Sequence, residues 1–291
     1  MKIKNTEMLV KAKRIVTAGI VCTAMLMPTA TSAKARTYST FVAKLPRYKT
    51  EKKYNLDHKG KADKLKITYG YNSEDFTKQK IRITVNSKTL TINPGVAYFS
   101  GESKLMRMKN GKYYVYVKVS GDDDWGRSYL VDVSTGKMPA LRADSGKIYN
   151  SNYTYEYNFY SPKVKGNTIT VTNVTTDNTI GSHEEYVTYT SSSSGKLTRG
   201  ATIKPKKGMY KYTYKASNTF SVYTSTSMKK KAYTVKKNSV VTVKSWKTVK
   251  GVPYFYVTSG KHGGYIKGIH KNKMKWTTNN NMYFKNVLYA G

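Results

Sequence analysis

Residues 112–133 read KYYVYVKVSGDDDWGRSYLVDV, two runs rich in Tyr and Val on either side of an acidic turn. Aromatic and β-branched residues favour strands, so the runs at 112–119 and 127–133 predict two strands of a hairpin. The three consecutive Asp at 122–124 point alternately to opposite faces of an extended chain. We therefore expect an Asp-rich turn. The alternatives are a cation site completed by the loop at 55–63, or a contact with a basic partner.

The same pattern recurs along most of the chain. Further runs rich in Tyr, Val, Ile and Thr, many of which alternate apolar with polar residues, occur at 64–71, 80–86, 153–159, 167–174 and 184–190. Turn-forming pairs separate the runs at Asn110-Gly111, Thr135-Gly136, Gly166-Asn167 and Ser194-Gly195. No long stretch beyond the N-terminal segment has helical periodicity. The sequence therefore predicts an all-β protein.

The N-terminal segment, residues 1–35, has the three parts of a secretory signal peptide. MKIKNTEMLVKAKR is basic, IVTAGIVCTAMLM is apolar, and Ala33 and Ala35 form a small-x-small cleavage site. We expect Arg36 to be the first mature residue, with cleavage after Ala33 as the alternative. The apolar run is shorter than the roughly 20 residues of a membrane span, and no later segment is long enough. The sequence predicts a secreted protein, extracellular or associated with a cell wall, without a transmembrane segment in the mature chain.

The only cysteine, Cys22, lies inside the expected signal peptide. The mature chain would then have neither a disulfide nor a thiol nucleophile, and core packing must hold the fold. Lipidation of Cys22 is an alternative, but Val21 fits poorly before a lipidated cysteine. The long basic signal, the missing cysteine and the preference for Lys over Arg resemble proteins exported by Gram-positive bacteria.

Positive charge dominates the chain and is unevenly distributed. There are 52 Lys and Arg against 16 Asp and Glu, for a net charge of +36. Glu185 is the last acidic residue, and residues 186–291 contain 21 Lys and Arg and no acid. Such a segment favours a polyanionic partner. It also excludes, within its own length, the paired carboxylates of a glycoside hydrolase and the acidic ligands of a calcium site.

Changes in composition divide the chain into segments. We expect a signal peptide at 1–35, a basic arm or linker at 36–53, a β domain at 54–200, a linker at 201–208, a second β domain at 209–276 and a C-terminal tail at 277–291. The first β domain is expected to be antiparallel.

The second β domain carries an ordered series of motifs within 220–268. They are the opening pair Val222-Tyr223, a strand and turn from Tyr233 to Asn238, Trp246, a hairpin at Lys250-Gly251, the strand Tyr254–Val257, and a Gly-rich turn before Tyr265-Ile266. In this order the segment resembles a bacterial SH3-like domain. The family usually has Gly-Trp where this chain has Gly264-Tyr265. The resemblance implies a small barrel that binds the bacterial cell wall.

The first β domain opens at residues 55–63 with NLDHKGKAD, whose alternating oxygen-bearing residues, glycine and final acid follow the pattern of a calcium-binding loop. The segments at 56–67, 109–126 and 164–171 resemble exported clostridial proteins that pair an FG-GAP-like opening loop with a closing SH3-like module. The candidate metal ligands are Asn55, Asp57 and Asp63, but a lysine, Lys59, stands where a third oxygen ligand belongs. We expect a turn made by Gly60, with both carboxylates bonded to local backbone and no metal.

Aromatic and lysine side chains of the second domain are the candidate binding residues. They are Tyr223, Trp246, Tyr254, Tyr256 and Tyr265, with Lys230, Lys237, Lys261 and Lys267. Aromatic rings beside lysines make platforms for sugars or bases. Alternation predicts Tyr254 and Tyr256 on one face of their strand and Phe255 on the other. Trp246 and Tyr265 are also candidates for lining the core.

His183 with Glu184 and Glu185 is the one grouping that could pair a base with an orienting acid. No GxSxG nucleophile elbow and no metal-binding His pair occurs, so we expect no enzymatic activity and no cofactor. The sequence predicts a secreted binding protein that attaches to teichoic acid or peptidoglycan through lysines and aromatics. The alternatives are a wall hydrolase with an SH3-like targeting domain, and a binder of glycosaminoglycan or, less favoured, nucleic acid.

Overall fold

The computed structural model describes residues 37–45, 50–71, 75, 78–95, 97–121, 126–134, 138–145, 154–270 and 278–289. The expected signal peptide at 1–35 and the acids at 122–124 lie outside these residues. Residues Thr37–Gly291 group into one compact unit.

The described chain is nearly all β, which confirms the predicted class. The strands of the first half are β1 Phe41–Leu45, β2 Thr50–Tyr54, β3 Asp63–Gly70, β4 Lys80–Val85, β5 Lys88–Ile92, β6 Ser100–Arg107, β7 Tyr113–Ser120, β8 Gly126–Asp132 and β9 Ala140–Asp144. Those of the second half are β10 Thr154–Lys165, β11 Thr168–Asp177, β12 Gly181–Ser191, β13 Leu197–Arg199, β14 Thr202–Pro205, β15 Thr213–Lys215, β16 Phe220–Tyr223, β17 Lys231–Val235, β18 Val240–Val249, β19 Val252–Ser259, β20 His262–Lys267, β21 Thr278–Asn279 and β22 Val287–Leu288.

A central antiparallel sheet, in the order β1-β6-β7-β8-β9, has a hydrophobic core on each face. On β7, Tyr113, Val115 and Val117 pack into one core. The intervening Tyr114 and Tyr116 pack into the other core. The run KYYVYVKV is apolar at nearly every position because both faces of its strand are covered.

A second sheet, in the order β2-β3-β4-β5, packs on one face of the central sheet. Its inward residues Leu65, Ile67, Ile81 and Ile83 share a core with Val115. The residues between them are more exposed, so β3 and β4 keep the apolar and polar alternation of a sheet with one solvated face.

The longest sheet runs in the order β10-β11-β12-β14-β18-β19-β20-β16-β17, with β13 added to β12 and β15 to β18. Its first strands cover the other face of the central sheet through Phe159, Ile169 and Val187. The short strand β14 connects the two halves of the sheet. Lys204 of β14 pairs with β12, and Ile203 pairs with Trp246 of β18.

The last part of the chain encloses a separate hydrophobic core, here called the C-terminal core. It includes Val222, Trp246, Phe255, Ile266 and Phe284. One edge of β18 pairs with two short strands, and on the other edge its register with β19 shifts between Val243 and Ser245. Residues before that irregularity pair with β15, and those after it pair with β14.

The C-terminal tail packs onto this core. Phe284, Val287 and Tyr289 are buried in it. The Asn281 side-chain amide donates to the backbone carbonyls of Asn178 and Thr179, at 3.2 and 2.8 Å. The tail therefore holds the turn between β11 and β12 against the C-terminal core.

The segments expected to connect domains contain paired strands. Residues 36–53 hold β1, which pairs with β6, and most of β2, which pairs with β3. The expected linker at 201–208 holds β14. Their Lys-rich composition hides the strand pattern. The likeness of 209–276 to an SH3-like barrel stays a prediction. No helix in the described ranges is long and apolar enough to cross a membrane.

Candidate functional site

Four tyrosines of the C-terminal strands share one outward face. In an antiparallel ladder, directly paired residues project to the same side. Tyr223 of β16 pairs with Tyr265 of β20, and Tyr265 pairs with Tyr256 of β19. Tyr254 lies two residues before Tyr256 and so projects to the same side. All four are partly exposed.

Two lysines flank these rings. Tyr254 pairs with Lys267 on one side and with Lys247 on the other. The ammonium group of Lys247 lies 5.9 Å from the centre of the Tyr265 ring, within the range of a cation–π contact. Tyr223, Tyr254, Tyr256, Tyr265, Lys247 and Lys267 together are called the tyrosine–lysine face.

The rings on this face are close but not parallel. The centroids of Tyr256 and Tyr265 lie 5.1 Å apart at an interplanar angle of 68°. Gly263 sits beside Tyr256, and any side chain there would collide with the phenol ring. The absence of a side chain at Gly263 therefore leaves room for the Tyr256 ring to lie over β20.

The opposite side of these strands faces the C-terminal core. Phe255 and Ile266 are 1 % and 0 % exposed, so the predicted separation of Tyr254 and Tyr256 from Phe255 is confirmed. Of the two roles named for Trp246, binding and lining the core, the structure gives it the second. Its ring is 3 % exposed, and its indole N–H donates to Glu185 Oε2 at 3.0 Å. Trp246 is a core residue because alternation along β18 turns it inward.

The predicted lysines are exposed but scattered. Lys230 precedes β17, Lys237 lies in the turn after it, and Lys261 lies in the hairpin between β19 and β20. Only Lys267 of the predicted set is aligned with the tyrosines. The sequence analysis missed Lys247, although alternation from an inward Trp246 would have placed it outward.

His183, Glu185 and Trp246 meet inside the protein, where β12 and β18 lie on either side of β14. His183 Nε2 lies 3.8 Å from Glu185 Oε2, and the imidazole edge meets the indole at 89°. Asn173 donates to Glu185 Oε1 at 3.0 Å. His183 and Glu185 are 1 % and 0 % exposed. The group can tie two strands together, but it presents no histidine or carboxylate to a substrate in solvent.

A second buried acid lies at the start of the same hairpin. Asp177 Oδ1 accepts from the backbone amides of Thr179 and Ile180, at 2.6 and 3.4 Å. Burial raises the pKa of Asp177 to about 6, although His183 and these amide bonds oppose the rise. Asp177 can therefore hold a proton at mildly acidic pH.

Glu184 is bonded on the outer side of β12. Lys206 donates to Glu184 Oε1 at 2.8 Å, and the Tyr160 hydroxyl donates to the same oxygen. Burial would raise the pKa of Glu184, but the bonds from Lys206 and Tyr160 hold it below its ordinary value. The last two acids of the sequence, Glu184 and Glu185, are therefore both engaged in internal contacts.

The opening loop closes on its own backbone, as the sequence predicts. Asp57 Oδ1 accepts from the Lys59 amide at 2.8 Å. Asp63 Oδ2 accepts from the Leu56 amide at 3.1 Å, and Asp63 Oδ1 accepts from the Asn86 side chain at 2.8 Å. Gly60 has a φ of +89°, which other residues rarely adopt.

Within the described ranges, which leave out the acids at 122–124, the candidate metal ligands have no cluster of further acids around them. Among the residues that the structure describes, no three His, Cys, Asp or Glu side chains are grouped to hold a metal ion. Beside the loop lies an open cavity of about 270 Å³, lined by Tyr38, His58, Asn110 and Ser134 among others. The ring of His58 stacks on Tyr38, with centroids 3.9 Å apart.

Comparison with protein-family models, with curated proteins and with solved structures found no match for the chain.

Proposed function

We propose that this protein is a secreted, non-enzymatic binding protein that attaches to the anionic bacterial cell envelope through the tyrosine–lysine face. The observation that carries the proposal is the alignment of four partly exposed tyrosines with Lys247 and Lys267. This face belongs to a segment of 106 residues, 186–291, that contains no acid. The expected partners are teichoic acid and peptidoglycan.

The two kinds of side chain on the face have separate tasks. Each lysine near an anionic surface contributes about 1 kcal/mol or less, and salt weakens that contribution. Tyrosine offers an apolar ring to the carbon-bound hydrogens of a sugar or polyol and a hydroxyl to its polar groups. The lysines would therefore set the charge preference and the rings would add contact that salt does not abolish.

A non-enzymatic role is supported by the position of the one histidine and acid pair singled out in the sequence. His183 and Glu185 are buried and bonded within the fold. A general base must come within hydrogen-bond reach of its substrate. The pair would fit a hydrolase only if β12 and β18 separated.

The proposal is tested by binding of the mature chain to purified Gram-positive walls, before and after removal of teichoic acid, across a salt series. The variant K247A/K267A should bind about tenfold more weakly at low salt, with a shallower salt dependence. The matched control K52A/K53A removes the same charge from β2 and should bind like the wild type. Equal binding by both variants, or no binding of the wild type to either wall, would contradict the proposal.

The binding of peptidoglycan and of teichoic acid gives different outcomes in this assay. Binding lost on stripping supports a teichoic acid ligand. Binding that survives stripping and high salt but is lost in Y256A supports peptidoglycan held by the rings. Zymography on the same walls tests the hydrolase alternative, and a band of lysis would contradict the non-enzymatic role.

A further inference from the structure

The outward row of tyrosines continues beyond the segment that resembles an SH3-like domain. Ser245 of β18 pairs with Tyr256, which pairs with Tyr265 and then with Tyr223. Tyr223 in turn pairs with Lys231 of β17. The row thus ends on a lysine at the edge of the sheet.

At its other end the row crosses onto β14 and β12. Thr202 pairs with Lys247 and Ile203 with Trp246, and one further step of this antiparallel register brings Lys204 opposite Ser245. Lys204 is exposed and pairs with Tyr186 of β12, which is 36 % exposed. The neighbours of Tyr186 on β12, Glu185 and Val187, are both buried, so Tyr186 is the outward residue.

Seven strands therefore contribute one side chain each to a single row, here called the stripe. Its members are Tyr186, Lys204, Ser245, Tyr256, Tyr265, Tyr223 and Lys231. Neighbouring strands lie about 4.8 Å apart, so the stripe is about 29 Å long when measured along the surface of the sheet. Lysines alternate with groups of aromatic rings along it, and Lys247 and Lys267 lie one row away.

We propose that the stripe binds a linear acidic polysaccharide that lies across the strands, from Tyr186 on β12 to Lys231 on β17. This inference rests on the proposed function and extends it. A row perpendicular to the strands suits an extended polymer better than a compact ligand. Tyrosine rings suit the faces of sugar rings, and the lysines suit carboxylate or phosphate groups on the same chain.

The stripe predicts a dependence on ligand length that a simple charged surface lacks. A short oligosaccharide can occupy the three central tyrosines, Tyr256, Tyr265 and Tyr223, without reaching the ends of the row. A long one can reach Tyr186 and Lys204 as well. Substitution of the end residues should therefore affect only the long ligand.

The test is calorimetric titration of the full mature chain with a tetragalacturonate and a dodecagalacturonate at one salt concentration. The wild type should bind the dodecamer at least about tenfold more tightly. Y186A and K204A should each weaken dodecamer binding about five- to tenfold and leave tetramer binding unchanged within about twofold. Y256A should weaken both. Y71A and K196A, exposed residues outside the stripe, are the matched controls, and circular dichroism should show that every variant folds.

Each outcome separates this inference from the proposed function. If Y186A and K204A match their controls while K247A/K267A loses wall binding, the stripe is wrong and the envelope role stands. Two outcomes would contradict an acidic polysaccharide as the ligand. One is binding of walls without binding of either oligosaccharide. The other is tighter binding of a glycerol-phosphate polymer, or of single-stranded DNA of equal charge, than of the dodecamer. If walls are not bound and the dodecamer is bound with the expected losses, the polysaccharide site stands and its source lies outside the wall.

Discussion

The contact between Trp246 and Glu185 allows a direct test of how the two halves of the long sheet are joined. β18 supplies the indole N–H and β12 supplies the carboxylate, from positions 61 residues apart. Glu185 is 0 % exposed, and its other oxygen accepts from Asn173. We expect Trp246→Phe to destabilise the protein because it removes one donor from a buried carboxylate.

The magnitude follows from two effects. A hydrogen bond to a charged group contributes about 1.5–3 kcal/mol to the free energy of unfolding. Replacing an indole by a phenyl ring also leaves unfilled space in the C-terminal core, which adds about 1 kcal/mol. The expected loss is about 3 kcal/mol. For a chain of this size that corresponds to a decrease in Tm of about 6–12 °C.

A double-mutant cycle separates the hydrogen bond from the lost packing. Urea unfolding at pH 7, followed by far-ultraviolet circular dichroism, is measured for W246F, E185Q and the double variant. The glutamine keeps the shape of Glu185 and removes its charge. We expect a coupling free energy of about 1–2 kcal/mol.

The control cycle combines W246F with E102Q. Glu102 lies on β6 of the central sheet, in a different part of the molecule. These two substitutions should be additive within about 0.5 kcal/mol. A coupling that is no larger for Glu185 than for Glu102 would refute the reasoning, because W246F would then act through packing alone.

Two further predictions concern buried acids. EDTA should leave Tm unchanged, whereas Asp63→Ala should lose about 1–3 kcal/mol with or without calcium, because Asp63 bonds Leu56 and Asn86. A Tm that falls with EDTA and recovers with calcium would contradict the metal-free turn. Asp177 has a pKa of about 6 in the fold against 3.8 in a model compound, so the folded state binds its proton more tightly. Stability should therefore fall by about 3 kcal/mol as pH rises from about 4 to about 6. D177N should show a smaller fall, and parallel urea-unfolding profiles would contradict the assignment.

The strand content could be predicted because it depends on local residue types. Runs such as KITYG in β3 and KIRITV in β4 alternate with period two, and the structure places their apolar residues inward. The order of strands in each sheet has no local signal. β14 is only four residues long and joins β12 to β18, which are separated by 48 residues of sequence. Such pairing depends on the packing of the whole molecule.

The binding face was predictable only where one strand determined it. Alternation within β19 gave the outward side of Tyr254 and Tyr256. The alignment of Tyr223 and Tyr265 with Tyr256 requires knowledge of which strands are neighbours. The sequence left Trp246 a candidate both for the face and for the core, because its partner Glu185 lies on a distant strand that the sequence does not connect to it.

Trp246 and Lys247 connect the buried contact to the outer face. Alternation along β18 turns Trp246 inward to Glu185 and Lys247 outward beside Tyr254. A slip of β18 by one residue would reverse both side chains and break the bond to the carboxylate. The buried hydrogen bond therefore favours the register in which Lys247 reaches the surface. The bond from Trp246 also holds the carboxylate of Glu185 inside the protein. Glu185 is the last acid of the sequence, and its buried position keeps its negative charge away from the lysines on the outer face.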